Sequence, residues 1–218
     1  MAGRGLFSGL FRKKLRVAVL VSGRGSNLGA ILKAEREKRI TGAKTVLVIS
    51  DNRDAYALEI ARRYGVKAVS IPAANFKTKL EGEPEARYIR ALQEAKIDLV
   101  VLAGFMRVLK PAFIRAFRGR ILNIHPSLLP KYPGLHTHQR ALEAGDREAG
   151  CTVHFVSEVV DGGKRIIQAR VPILPVDNAD SLARRVLERE HVILPRAIQL
   201  FADGKIDEAA FPDQPIAG

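Results

Sequence analysis

The sequence predicts an α/β protein: a single-domain, doubly wound, mostly parallel sheet flanked by helices, with a late antiparallel hairpin and a long C-terminal helix. Short apolar runs of strand length alternate with amphipathic helical patterns along most of the chain. The first such run passes through a glycine turn straight into a helix, the unit that opens sheets of this kind. Three loops that carry chemistry-bearing side chains all follow strands, so they fall on one edge of the sheet.

Arg16–Ser22 is continuously apolar after its first residue, as expected for a strand buried on both faces. Gly23-Arg24-Gly25-Ser26-Asn27 follows, then a helix with Leu28, Ile31 and Leu32 on one side. This arrangement turns backbone N–H groups toward an anion. A dinucleotide fingerprint would need glycine at Leu28, and the P-loop lysine is absent, so a mononucleotide or phosphate cradle is predicted instead. Thr45–Ser50 is the second strand, and Ser50-Asp51-Asn52 reads as a polar turn. A helix over Ala55–Tyr64 stops at Gly65, and Lys67–Ile71 is the third strand. Asn75–Pro84 reads as irregular, Glu85–Ala95 as a helix, and Asp98–Ala103 as a central strand. The loop Gly104–Leu109 leaves its carboxyl end, and Pro111 starts a further helix.

Ile121–His125 is a short strand that breaks at Pro126. Asn123 and His125 lie two apart and share one strand face. A carboxamide can steady an oxyanion and an imidazole can move protons near neutral pH. The same two residues could equally cap backbone groups, and the pair alone leaves both readings open. Leu135-His136-Thr137-His138 opens a helix to Ala144. Two histidines at that spacing do not share a helix face, and no acid or cysteine stands at ligand spacing, so no metal is predicted. Cys151–Ser157 and Lys164–Pro172 form the late hairpin around Glu158-Val159-Val160-Asp161-Gly162-Gly163, with Thr152 and His154 on one face and His154 read as structural. Asp180–Phe201 is the closing helix, with a kink expected at Pro195, and Asp203-Gly204 ends it.

With 218 residues, the chain can bury a substantial core. No apolar run approaches membrane-span length, and the single cysteine, Cys151, precludes an internal disulfide and fits a reducing compartment. The net charge is +13. Arg4, Arg12, Lys13, Lys14 and Arg16 concentrate charge at the start of the chain, and no basic run is interleaved with aromatics. A small anionic substrate accounts for the remaining excess without nucleic acid. Residues 1–15 read as a basic N-terminal extension, 16–204 as the domain and 205–218 as a polar tail. The extension could be floppy, could pack on the surface, or could address an organelle.

Ser22–Asn27, Leu102-Ala103-Gly104-Phe105-Met106-Arg107, Asn123-Ile124-His125-Pro126-Ser127-Leu128-Leu129-Pro130 and Asp161-Gly162-Gly163 stand in the order and spacing of one family. From about Arg16 to Gly204 the chain resembles the phosphoribosylglycinamide formyltransferases, the folate-dependent glycinamide ribonucleotide transformylases of purine synthesis. Tyr132-Pro133-Gly134-Leu135-His136-Thr137-His138 points to this member among the formyl-folate enzymes.

The resemblance implies direct attack of the glycinamide ribonucleotide amine on the formyl carbon of 10-formyltetrahydrofolate, through a tetrahedral intermediate, without metal. It implies that Asn123 steadies the oxyanion, His125 moves protons and Asp161 supports His125, raising its pKa. It places the ribonucleotide on Gly25, Ser26, Asn27 and Glu190. It places the folate against Met106, Arg107, Val108, Leu109, Asn123, Ser157, Glu158, Val159, Val160 and Asp161. Leu187 stands where a polar substrate contact can occur, Lys164 replaces a proline, and the folate-tail contact falls somewhere in Lys77–Arg87.

The implied setting is cytoplasmic, as monomer or homodimer, with no membrane or nucleic-acid partner. A methionyl-tRNA formyltransferase would be expected to carry a further C-terminal domain, and a formyltetrahydrofolate hydrolase an N-terminal regulatory domain. A silent nucleotide- or folate-binding module would have no chemical need for Asn123, His125 and Asp161 together.

Overall fold

The computed structural model describes residues 13–73, 78–209 and 216–218. Residues 1–12 of the extension and Lys77 of the folate-tail region lie outside the described residues. In chain order the elements are β1 (Leu15–Val21), α1 (Ser26–Arg36), β2 (Ala43–Ser50), α2 (Tyr56–Arg63), β3 (Lys67–Ser70), β4 (Lys79–Leu80), α3 (Glu83–Glu94) and β5 (Leu99–Leu102). They continue with β6 (Val108–Leu109), α4 (Pro111–Ala116), β7 (Ile121–His125), α5 (Thr137–Glu143), β8 (Glu148–Phe155), β9 (Arg165–Pro172), α6 (Ala179–Ala202) and β10 (Ile216–Ala217).

Eight strands form one sheet in the order β10-β9-β8-β7-β5-β1-β2-β3. The strands from β7 to β3 are mutually parallel, whereas β8 runs antiparallel to both β7 and β9. The period of two in β1 explains why both faces are covered. Val17, Val19 and Val21 pack with α1, α2 and α6 residues, whereas Ala18 and Leu20 pack with Tyr88, Leu92 and Phe113 from α3 and α4. Among the described residues no helix is long and apolar enough to cross a membrane.

The structure departs from the sequence reading in several places. The stretch read as irregular over Asn75–Pro84 contains β4, which pairs in parallel with β6, and α3 already starts at Glu83. Pro84 is accommodated in the first turn, where no intrahelical N–H bond is required. The Glu85 carboxylate reaches across to accept the Phe113 N–H at 3.1 Å, tying α3 to α4. β8 begins at Glu148, earlier than Cys151. As the sequence reading expects, the closing helix contains Pro195, which is buried within it. Its N-terminus is fixed by a reciprocal capping box, in which Asn178 Oδ1 accepts from Ser181 N–H at 2.9 Å and Ser181 Oγ accepts from Asn178 N–H at 3.1 Å. Past Gly204 the chain is not simply a polar tail. Ile206 is buried, and β10 pairs in parallel with β9, adding an edge strand beyond the 204 boundary.

Candidate active site

Register places the site. Leu20 of β1 lies beside Leu102 of β5, and Leu102 lies beside Asn123 of β7, so the three strands end at one level. The loops beyond them are tied together, with Ser22 N–H donating to Gly104 O at 3.2 Å and Met106 N–H to Ser22 Oγ at 2.9 Å. On the other side, antiparallel pairing sets His154 of β8 opposite Asn123, and Thr152 opposite His125.

Asn123, His125, His154 and Asp161 converge there. Asn123 Nδ2 lies 3.1 Å from His154 Nε2 and 3.5 Å from Asp161 Oδ1. His125 Nδ1 lies 3.4 Å from Asp161 Oδ2, and His154 Nε2 lies 3.6 Å from Asp161 Oδ1. His154 Nδ1–H donates to Phe155 O at 2.8 Å, which leaves Nε2 of the neutral ring as an acceptor for the Asn123 amide. His125 Nε2–H donates to Tyr132 O at 2.9 Å, so Nδ1 is the nitrogen that faces the carboxylate. Gly134 N–H donates to Asp161 Oδ2 at 2.8 Å.

Electrostatics modify the sequence expectation for His125. Burial pushes its pKa down, and that outweighs the upward pull of the Tyr132 carbonyl and of Asp161. The resting ring is therefore neutral near pH 7. Burial also pushes the Asp161 carboxyl up, but the Gly134 N–H bond and the neighbouring histidines bring it below its ordinary value, so it is ionised. The site rests as an ionised carboxylate beside a neutral imidazole.

Glycine is required where the Asp161 loop returns to the sheet. A Cβ at Gly163 would lie 1.7 Å from Phe155 O, so no side chain fits while the loop holds Asp161 under the two histidines. Phe155 N–H donates to Lys164 O at 2.9 Å, so Lys164 is anchored through its backbone. The Ser127–Leu129 turn is held by Thr152, whose Oγ1 donates to Ser127 O at 2.7 Å and accepts from Leu129 N–H at 3.1 Å.

The glycine turn forms the second part of the site. Gly25 adopts φ 75° at the start of α1, and a Cβ there would lie 2.6 Å from the Cβ of Ala57. The first turn of α1 contains no acid, so its free N–H groups face no negative charge of their own helix. Ser26 is half-buried. Asn27 and Glu190 are both buried, and Asn27 Nδ2–H donates to Glu190 Oε2 at 2.6 Å. Burial raises the Glu190 pKa despite that bond. Asn27 Oδ1 is buried with no partner, an acceptor awaiting a donor.

The predicted folate residues divide. Met106, Val108, Val159 and Val160 are exposed apolar side chains on the two loops at this edge. Leu109 is buried in the α3–α4 core. Arg107 forms an ion pair with the buried Asp51 at 2.5 Å. Ser157 Oγ–H donates to Val159 O within its own loop, and Glu158 turns out toward Arg115 at 3.9 Å. Among the described residues no group of three His, Cys, Asp or Glu could hold a metal. Sequence reasoning missed His154 as a member of the cluster and Asp51 as the partner of Arg107. The Thr152/His154 alternation was visible, but only the β7–β8 register shows that it faces Asn123.

Residues 15–198 match the family model described as formyl transferase. The chain belongs to the formyl transferase family. Phosphoribosylglycinamide formyltransferase of Escherichia coli is 47% identical over 192 residues, 88% of this chain and 89% of that protein. The trifunctional purine biosynthetic protein adenosine-3 of Drosophila melanogaster is 48% identical over 196 residues, which are 89% of this chain but only 14% of that longer protein. Among solved structures, glycinamide ribonucleotide transformylase 1 from Symbiobacterium toebii superposes with a TM-score of 0.85 at 46% identity, covering 93% of each chain. This formyl transferase shares that fold, including the late antiparallel strands and the long closing helix.

Proposed function

We propose that this chain transfers the formyl group of 10-formyltetrahydrofolate to the amine of glycinamide ribonucleotide, giving formylglycinamide ribonucleotide and tetrahydrofolate in de novo purine synthesis. The observation that carries the reading is the Asn123–His125–Asp161 cluster at the sheet edge, in a chain so similar to phosphoribosylglycinamide formyltransferase. The catalytic unit spans 16–204, with Leu15 already in β1 and the sheet edge extended by β10, and the residues before it form an extension. Its setting is cytoplasmic, as monomer or homodimer, with small-molecule substrates and neither nucleic acid nor membrane.

The residues present fit both substrates. The α1 N-terminus with Gly25, Ser26 and Asn27 suits a phosphate, and the orphaned Asn27 Oδ1 and the Glu190 carboxylate suit hydroxyl or amine donors of a ribonucleotide. Exposed Met106, Val108, Val159 and Val160 suit a flat heterocycle, which would cover apolar surface otherwise left in water. Arg107, Leu109, Ser157 and Glu158 take part through backbone and loop shape, since their side chains are engaged elsewhere. When bound, the folate supplies the activated formyl carbon.

Each catalytic group then has a defined task. The Asn123 hydrogen facing Asp161 is held only at 3.5 Å, so it can turn to an oxyanion while the bond to His154 keeps the amide oriented. One such donor lowers the barrier by roughly 3 kcal/mol. His125 is neutral and its Nε2 is committed to Tyr132 O, so it takes the amine proton at Nδ1. That proton arrives 3.4 Å from the ionised Asp161, which stabilises the imidazolium as it forms. As the tetrahedral intermediate collapses and the formyl–folate C–N bond breaks, the proton passes to the departing folate nitrogen and His125 returns to neutral. The test is a transfer assay that follows folate absorbance with and without glycinamide ribonucleotide. Turnover that requires the ribonucleotide and yields its formylated product upholds the proposal. Turnover without it identifies a hydrolase, and silence from folded protein removes the proposal.

A further inference from the structure

The loop Lys131–His136 touches the catalytic cluster only through its backbone, yet it touches it twice. Tyr132 O accepts from His125 Nε2, and Gly134 N–H donates to Asp161 Oδ2. These contacts set which nitrogen of His125 carries the resting proton and which carboxylate oxygen faces Nδ1. The loop is conformationally costly, because Tyr132 and His136 adopt φ of 56° and 57°, which non-glycine residues rarely do. Two charged side chains hold it. Asp146 accepts from Tyr132 Oη at 2.9 Å and from Lys131 Nζ at 2.8 and 3.0 Å. Arg140 donates from one guanidinium nitrogen to Pro133 O at 2.7 Å and to Leu135 O at 3.3 Å, and its charge lies 5.2 Å from the centre of the Tyr132 ring.

We infer that Asp146 and Arg140 are positioning residues for formyl transfer: by clamping the side chain of Tyr132 and the carbonyls on either side of Gly134, they hold the two backbone groups that fix the tautomer of His125 and the orientation of Asp161. Neither residue touches the cluster itself by hydrogen bond, so neither is catalytic. The clamp rests on the proposed formyl transfer for its kinetic consequence and on geometry alone for its effect on His125. The groups that bear on the His125 ring are Asp161, His154, Arg140 and His138. The Tyr132 carbonyl is the neighbour whose hydrogen bond most favours protonation, so loosening it lowers the His125 pKa.

The experiment compares the full chain with Tyr132→Phe and Asp146→Asn. Tyr132→Phe keeps the ring under Arg140 and removes only the hydroxyl. Asp146→Asn weakens the bonds that Asp146 accepts from Tyr132 and Lys131. Long-range proton–nitrogen NMR, with the His125 signals assigned by their loss in His125→Asn, reads tautomer and titration directly. The full chain should show His125 with its resting proton on Nε2. Both variants should mix in the Nδ1–H form and titrate at lower pH. In transfer assays kcat should fall roughly tenfold to a hundredfold with little change in either KM, as a small misplacement of a reacting group produces. The acid limb of the kcat profile should move to lower pH. His125 spectra unchanged in both folded variants would overturn the clamp. The full chain showing the expected spectra with no formyl transfer would instead overturn the activity and leave the clamp standing.

Discussion

Replacing Asp161 by asparagine removes a charge with almost no change in shape, and the structure says what that charge does. Asp161 Oδ2 lies 3.4 Å from His125 Nδ1 at a site where its side chain is only 10% exposed. A unit charge pair at that separation, with an effective dielectric of about 20, is worth roughly 5 kcal/mol. The amide dipole of asparagine recovers part of this, so the loss in the transition state should be about 3 kcal/mol, or roughly a hundredfold in kcat. The Gly134 N–H can still be accepted by the amide oxygen, so the fold should survive. Asp161 raises the His125 pKa, so its removal lowers that pKa and moves the acid limb of the rate profile to lower pH. The assay is steady-state formyl transfer across pH, with circular dichroism to verify folding. A folded Asp161→Asn variant within threefold of the original kcat would refute the role assigned to this carboxylate.

Gly163→Ala should destabilise by about 3 kcal/mol, lowering Tm by roughly 6–12 °C, because its Cβ would lie 1.7 Å from Phe155 O; a calorimetric Tm within 2 °C would show that the loop relaxes at little cost. Glu190→Gln should raise KM for glycinamide ribonucleotide about tenfold with a smaller change in kcat, since the carboxylate bonded to Asn27 becomes a neutral amide; an unchanged KM would place the ribonucleotide elsewhere. Asp177 is held at about 2 by hydrogen bonds from Arg185 and the Leu174 N–H, ahead of the α6 cap. A depressed carboxyl contributes stability above its unfolded pKa and loses it as pH falls through the folded value. The Tm difference between the natural chain and Asp177→Asn should therefore be constant above about pH 5 and vanish as pH approaches 2, whereas a difference persisting there would assign it to packing.

Much of this formyl transferase is determined locally. Apolar runs such as Val17–Val21 can only be buried on both faces, and the glycine turn that follows leads directly into the helical pattern of α1, so the alternating α/β order follows from the chain alone. Asn123 and His125 share a face because the strand period is two. Other features depend on residues far apart in sequence, for which no local signal exists. Asp161 meets His125 across 36 positions, His154 meets Asn123 through the β7–β8 register, and Arg107 beyond β5 is drawn to Asp51 beyond β2, across the intervening β1. The short β4–β6 pairing and the return of β10 to the sheet are decided in the same way, by partners that only the folded chain supplies. The protonation of the site belongs to this second class as well. A neighbouring carboxylate argues for a raised His125, but burial of the ring is a property of the whole packed edge, and its desolvation is the larger effect.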